Sequence, residues 1–105
     1  RIPENQLALL QELSRLGKPV IGVLSGGCAV EMPWESCCDA ILHTYLGGEA
    51  GAEGVLQVLT GQVNPSGKLN ETYPMNYEDT PAYGYCPAKF RDSQYREGLY
   101  VGYRY

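Results

Sequence analysis

Apolar positions recur at helical spacing from the start of the chain: Leu9, Leu10, Leu13 and Leu16 share a face, with Leu7 alongside. Pro3 suits a first helical turn, Glu4 favours the positive end of the helix dipole, and Gly17 fits the position just past the end. A helix is therefore predicted over 3–16, and Lys18-Pro19 forbids its continuation. Val20-Ile21-Gly22-Val23-Leu24 follows as a nearly unbroken apolar run, closed by Ser25-Gly26-Gly27. Such a run, rich in β-branched residues, suits a strand of a parallel sheet covered on both faces. Met32-Pro33-Trp34-Glu35 reads as a loop leading into one short helical turn near Cys37. Ala40 to Tyr45 is a second apolar run, interrupted by His43 and Thr44 and closed by Gly47-Gly48. Glu49 to Thr60 is a second helix, with Ala52, Val55, Leu56 and Leu59 on one stripe and Gly61 at its end.

Asn64-Pro65-Ser66-Gly67 is a turn, and Leu69 to Tyr73 reads as a third strand. The core is expected from the two helical stripes and the two apolar runs. Helix and apolar strand alternate, which points to α/β layering. Three strands are few for a sheet, so the order amounts to half of a doubly wound unit. After Pro74 the pattern dissolves into loops that hold, with Tyr73, eight of the nine tyrosines. The chain thus divides into an α/β core over 1–73 and a loop-rich tail over 74–105 that needs a surface to pack on.

Composition narrows the classes without naming one. With 105 residues, 44% hydrophobic and 19% charged, the chain suits one small globular domain. A net charge of -4 with scattered Lys and Arg argues against nucleic acid as a partner. No apolar run approaches the roughly 20 residues that span a bilayer, so no membrane partner is expected. The cysteines are Cys28, Cys37, Cys38 and Cys86, without a CxxC spacing, and His43 is the single histidine. No metal site is expected from that set. Free thiols in a reducing compartment, and so a cytoplasmic location, are the simpler expectation. Cys38, beside an apolar run, is expected to pack as a small hydrophobe.

The candidate chemistry is thin when each residue is taken alone. Ser25-Gly26-Gly27 resembles the start of a phosphate loop, but neither GxGxxG nor GxxxxGK[ST] is present. No GxSxG elbow supports a triad of Ser25, His43 and Asp39 or Glu49, and His43 sits inside an apolar run. Glu31, Glu35, Glu49, Glu71 and Glu97 are candidates by type for the paired carboxylates of glycoside hydrolysis. Their spacing does not show any two facing one sugar. The tyrosines and Trp34 are capable of stacking on sugars, though such residues are more often amphipathic packing groups.

Longer strings carry more. Arg1-Ile2-Pro3-Glu4-Asn5-Gln6-Leu7 resembles the R…LPxxQ…L entry to a helix found in family 3 glycoside hydrolases. Ser25 to Trp34 resembles the SGxPVEMPW segment of that family, and Leu46-Gly47-Gly48-Glu49-Ala50-Gly51 its YPGQxGG turn. Asn64 to Leu69 matches NPSGKLP up to its last residue, and Thr72-Tyr73-Pro74 stands for TFP. Glu78 to Tyr83 resembles EDTPAY, and Tyr95 to Tyr105 resembles YxEGIFVGYRYYD. Six pieces in family order cover nearly the whole chain. Cys28 and Ala29 depart from the pattern, as do Leu46 and Asn70, at positions that bear on packing.

The resemblance implies that residues 1–105 are part of the family's C-terminal α/β domain. That domain is a three-layer αβα sandwich with a mostly parallel sheet, of which this chain holds a portion. The resemblance further implies a β-glucosidase-like enzyme with a retaining mechanism, acting on a β-glucoside or oligosaccharide without a cofactor. In the family a nucleophilic Asp lies in an upstream barrel domain, and an acid/base Glu often lies just before an Asp-Arg step. Arg1 resembles the Arg of that step, so both catalytic carboxylates are expected outside these residues and the chain alone is expected to be inactive. The barrel domain, or a second copy of the chain, is the expected partner. The alternative is a non-catalytic carbohydrate-binding or protein-interaction module of α/β fold.

Overall fold

The computed structural model describes residues 1–88, 91–92 and 94–105. Helix α1 covers Glu4–Ser14, strand β1 Ile21–Ser25, strand β2 Ala40–Tyr45 and helix α2 Gly51–Leu59, with 3-10 turns at Glu35–Cys37, Tyr77–Asp79 and Gly102–Arg104. The α/β class read from the sequence is the observed one.

Pro3 caps α1, its carbonyl accepting from the N–H of Gln6 at 3.0 Å and of Leu7 at 3.1 Å. Gly17, at φ +63°, takes the left-handed conformation that ends the helical segment. β1 and β2 pair in parallel, with Ile21 opposite Ala40 and Leu24 opposite His43, and the register slips between Leu24 and Ser25. Parallel pairing requires a crossover, and residues 26–39 supply it with the 3-10 turn at Glu35–Cys37, against which α1 lies. Asp39 closes the open ends of both strands: its Oδ2 accepts from the Val20 N–H at 2.7 Å, and its own N–H donates to the Val20 carbonyl at 2.8 Å. Beside them a methyl on Gly22 would stand 3.1 Å from the Cys38 sulfur, so Cys38 packs there as a small hydrophobe. Burial, ahead of the neighbouring Cys37, Asp39 and Glu35, pushes its thiol pKa up.

Two expectations fail. The third strand over 69–73 does not form, and among the described residues the sheet has two strands. Thr72 instead gives its N–H to the Gly102 carbonyl at 3.3 Å and its hydroxyl to the Tyr105 carbonyl at 2.9 Å, contacts that do not continue as a ladder. The core is also not where the stripes put it. Leu9, Leu13 and Leu16 of the first helical segment and Leu56 and Leu59 of α2 are exposed, as are Ile21 and Val23 of β1. Leu7 and Leu10 are half-buried, as are Val55 and Val58 of α2. Among the described residues the one buried hydrophobic side chain is Trp34, at 4% exposure, in a segment that reads as loop. Amphipathic spacing identifies a face that needs cover; it does not say that these 105 residues supply the cover.

The chain forms two compact units, one of residues 2–28 and 34–68, the other of Arg1, 29–33 and 69–105. The first holds α1, both strands and α2. In the second the regular elements among the described residues are the 3-10 turns at Tyr77–Asp79 and Gly102–Arg104. Part of the loop-rich reading of 74–105 falls on 89, 90 and 93, outside the described residues.

Candidate functional site

The polar chemistry of the second unit gathers on three carboxylates. Glu31 accepts a hydrogen bond and ion pair from the Arg1 guanidinium at one oxygen, and the Tyr77 N–H at the other at 2.8 Å. Glu71 accepts the Ala29 N–H at 3.2 Å, and Asp79 accepts the Asn76 N–H at 2.8 Å. Together with the Met32 N–H, which donates to the Pro74 carbonyl at 2.9 Å, the Ala29–Glu71 and Tyr77–Glu31 bonds lace residues 29–33 to 71–77, while the Asp79 bond is local to its turn. The hydrogen bond from Arg1 holds the Glu31 carboxyl below its usual range against the opposing effect of burial, with the Tyr77 N–H adding to it.

A cavity of about 410 Å³ lies in the same unit, within the size range of ligand pockets. Glu71, Asp79 and Glu97 contribute to its lining, with Tyr73, Val101 and Tyr105. The fold therefore brings Glu71 and Glu97, two of the five glutamates singled out by type, to one cavity. Glu31 is placed on Arg1 and Tyr77 instead. Glu35 is exposed at the start of the 3-10 turn Glu35–Cys37, and Glu49 is exposed ahead of α2.

The serine and histidine of the imagined triad are occupied otherwise. Ser25 donates its hydroxyl to the Tyr45 carbonyl at 3.0 Å, and the His43 ring meets that of Tyr45 at 3.8 Å between centroids. Ser25-Gly26-Gly27 closes a strand without leading into a helix, so it lacks the helix N-terminus of a phosphate site. No group of three or more His, Cys, Asp or Glu among the described residues is arranged to hold a metal ion. Among the same residues no helix is long and apolar enough to cross a membrane.

Asp79 is the site residue that the sequence reading passed over, although a signal existed. Asn76 followed three residues later by Asp79 has the spacing of a capping box. The Arg1–Glu31 pair has no comparable signal, because its partners stand thirty positions apart.

Residues 1–103 match the sequence model of the glycosyl hydrolase family 3 C-terminal domain. The chain belongs to that family. It is 43% identical over 104 residues to the thermostable β-glucosidase B of Acetivibrio thermocellus. It is 36% identical over 108 residues to a β-glucosidase of Bacteroides ovatus, and 35% identical over 105 residues to an exo-α-(1→6)-L-arabinopyranosidase of Bifidobacterium longum. Each similarity covers 99% of this chain and 14% of the relative. The two helices and the parallel strand pair agree with an α/β portion of such a domain. Enzymes with different sugar names are matched at nearly equal identity, so family membership is a coarser property than sugar specificity.

Proposed function

We propose that this chain is the scaffold portion of a retaining β-glucosidase-type glycoside hydrolase, with both catalytic carboxylates supplied by residues outside it. The observation that carries the reading is the commitment of Glu31, the acidic residue of the segment that resembles SGxPVEMPW. A general acid at neutral pH needs a carboxyl pKa pushed up, whereas Arg1 and the Tyr77 N–H hold Glu31 down. Glu71 and Asp79 are likewise used to satisfy backbone N–H groups. The role left to the chain is mechanical: it holds neighbouring catalytic groups at the tolerance that a two-carboxylate mechanism demands, with the pair about 5–5.5 Å apart. The exposed leucines of α1 and α2 support cover by the remainder of such an enzyme or by a second copy. A cytoplasmic location belongs to the same proposal, supported by four unpaired cysteines.

The test exchanges this chain for the matching segment of the Acetivibrio thermocellus enzyme and assays aryl β-glucoside hydrolysis beside the chain alone. Activity in the exchanged enzyme and none in the chain is the expected result. Turnover by the chain alone that vanishes in Glu71→Gln or Glu97→Gln would overturn it. Sugar binding by the chain, with an exchanged enzyme that folds but does not turn over, would favour the non-catalytic module.

A further inference from the structure

The two oxygens of Glu31 serve partners far apart in sequence, Arg1 on one side and the Tyr77 N–H on the other. The Arg1 side chain is 80% exposed and that of Glu31 only 11%, so the arginine is fastened from outside onto a carboxylate seated in the unit. Tyr77 is itself a fixed point. It opens the 3-10 turn Tyr77–Asp79, its hydroxyl donates to the Cys86 carbonyl at 3.0 Å, and its ring meets Tyr83 edge to face at 5.4 Å. The Met32–Pro74 backbone bond holds the neighbour of Glu31 to the same loop. A single side chain thereby ties the first residue of the chain to an anchored turn.

We infer that Glu31 is a positioning residue, a brace that sets Arg1 against the 77–79 turn and so fixes the path of whatever chain leads into Arg1. In a complete glycosidase this brace governs where a general acid just ahead of Arg1 presents its carboxyl group, a consequence that rests on the proposed function above. Both acceptor oxygens are needed. Glutamine retains one for Tyr77 but turns an amide, without charge, towards Arg1; alanine loses both. The charged groups around the brace are Arg1 and, acting on Arg1, Glu78.

The experiment has two arms. In the full chain, amide hydrogen exchange at Tyr77 is expected to quicken about tenfold in Glu31→Ala and far less in Glu31→Gln, since only the first removes its acceptor. In the enzyme carrying this chain in place of the Acetivibrio thermocellus segment, Glu31→Gln and Arg1→Ala are each expected to lower kcat about tenfold with little change in KM, and the double variant to add little more. Glu31→Gln also strips a negative charge and leaves that of Arg1 uncompensated. A nearby general acid then loses its proton more readily, and the alkaline limb of kcat/KM moves to lower pH by about half a unit. A merely structural role would leave that limb in place. Unchanged Tyr77 exchange in Glu31→Ala overturns the brace, and unchanged kcat and pH limb in Glu31→Gln overturn its positioning role. An inactive unsubstituted exchange enzyme counts against the glycosidase reading alone, and the Tyr77 exchange still decides the brace.

Discussion

The two units of the chain reach order by different routes. In residues 2–28 and 34–68, backbone groups are satisfied mainly by repetition, through two helices and a parallel strand pair. In the unit of Arg1, 29–33 and 69–105 the regular elements among the described residues are three-residue turns, and beside the carbonyls of such turns single carboxylates take up N–H groups: Ala29 by Glu71, Asn76 by Asp79, Tyr77 by Glu31. Repetition spreads stability over many similar bonds. Individually placed acceptors concentrate it in a few side chains, so the second unit should be the more sensitive to the loss of a single side-chain acceptor.

Spectroscopy separates the two, because the single tryptophan lies in one unit and eight of nine tyrosines in the other. The largest expected effect is Trp34→Ala, which empties the one buried hydrophobic position among the described residues and should cost about 3–5 kcal/mol in thermal melting. If the melt shifts by less than about 1 kcal/mol, the first unit does not depend on Trp34. Gly102→Ala should come next. Gly102 has φ +63°, and a Cβ there would meet the Asn70 carbonyl oxygen at 2.8 Å. A cost of about 2 kcal/mol is expected, lowering the melting temperature read by tyrosine near-UV circular dichroism and sparing that read by Trp34 fluorescence. Simultaneous shifts of both signals would erase the distinction between the units.

Acid is the gentlest probe. The folded pKa of Glu31 is depressed, so its contribution is present above the unfolded carboxylate value and lost as pH falls through the folded one. The tyrosine signal should therefore change at a higher pH than Trp34 fluorescence in an acid titration, and Glu31→Gln should remove the difference. Trp34 responding first would reverse the expected order.

The repeating unit was the legible one. Gly17, the Glu35–Cys37 turn and both strands were readable because each rests on local chemistry: a left-handed glycine, a short crossover, a β-branched run between turn residues. The parallel pairing followed from apolar runs of the kind that sheets bury on both faces. What failed was the reading of segments whose distant partner differs from the one their local pattern suggests. The 69–73 segment has strand-like residues, yet Thr72 finds Gly102 and Tyr105 in place of a neighbouring strand. Leu56 and Leu59 have the spacing of a core stripe, yet no sequence pattern states which polypeptide covers them. Of the candidate site, the types Glu31, Glu71 and Glu97 were visible, whereas their assignment to Arg1 or to a shared cavity is tertiary information.

The threading of the chain also bears on how such a sequence can be recombined. Residues 29–33 belong with 69–105, but the chain returns through 34–68 to the other unit before reaching them. A single genetic crossover anywhere between 34 and 68 would bring Glu31 from one parent and Tyr77 from another. It would place Ala29 and Glu71 under separate ancestry in the same stroke. Neither unit is a cassette that one cut can transplant, so homologous exchange among relatives should succeed only when breakpoints fall outside this span or when both parents keep the same laced pairs.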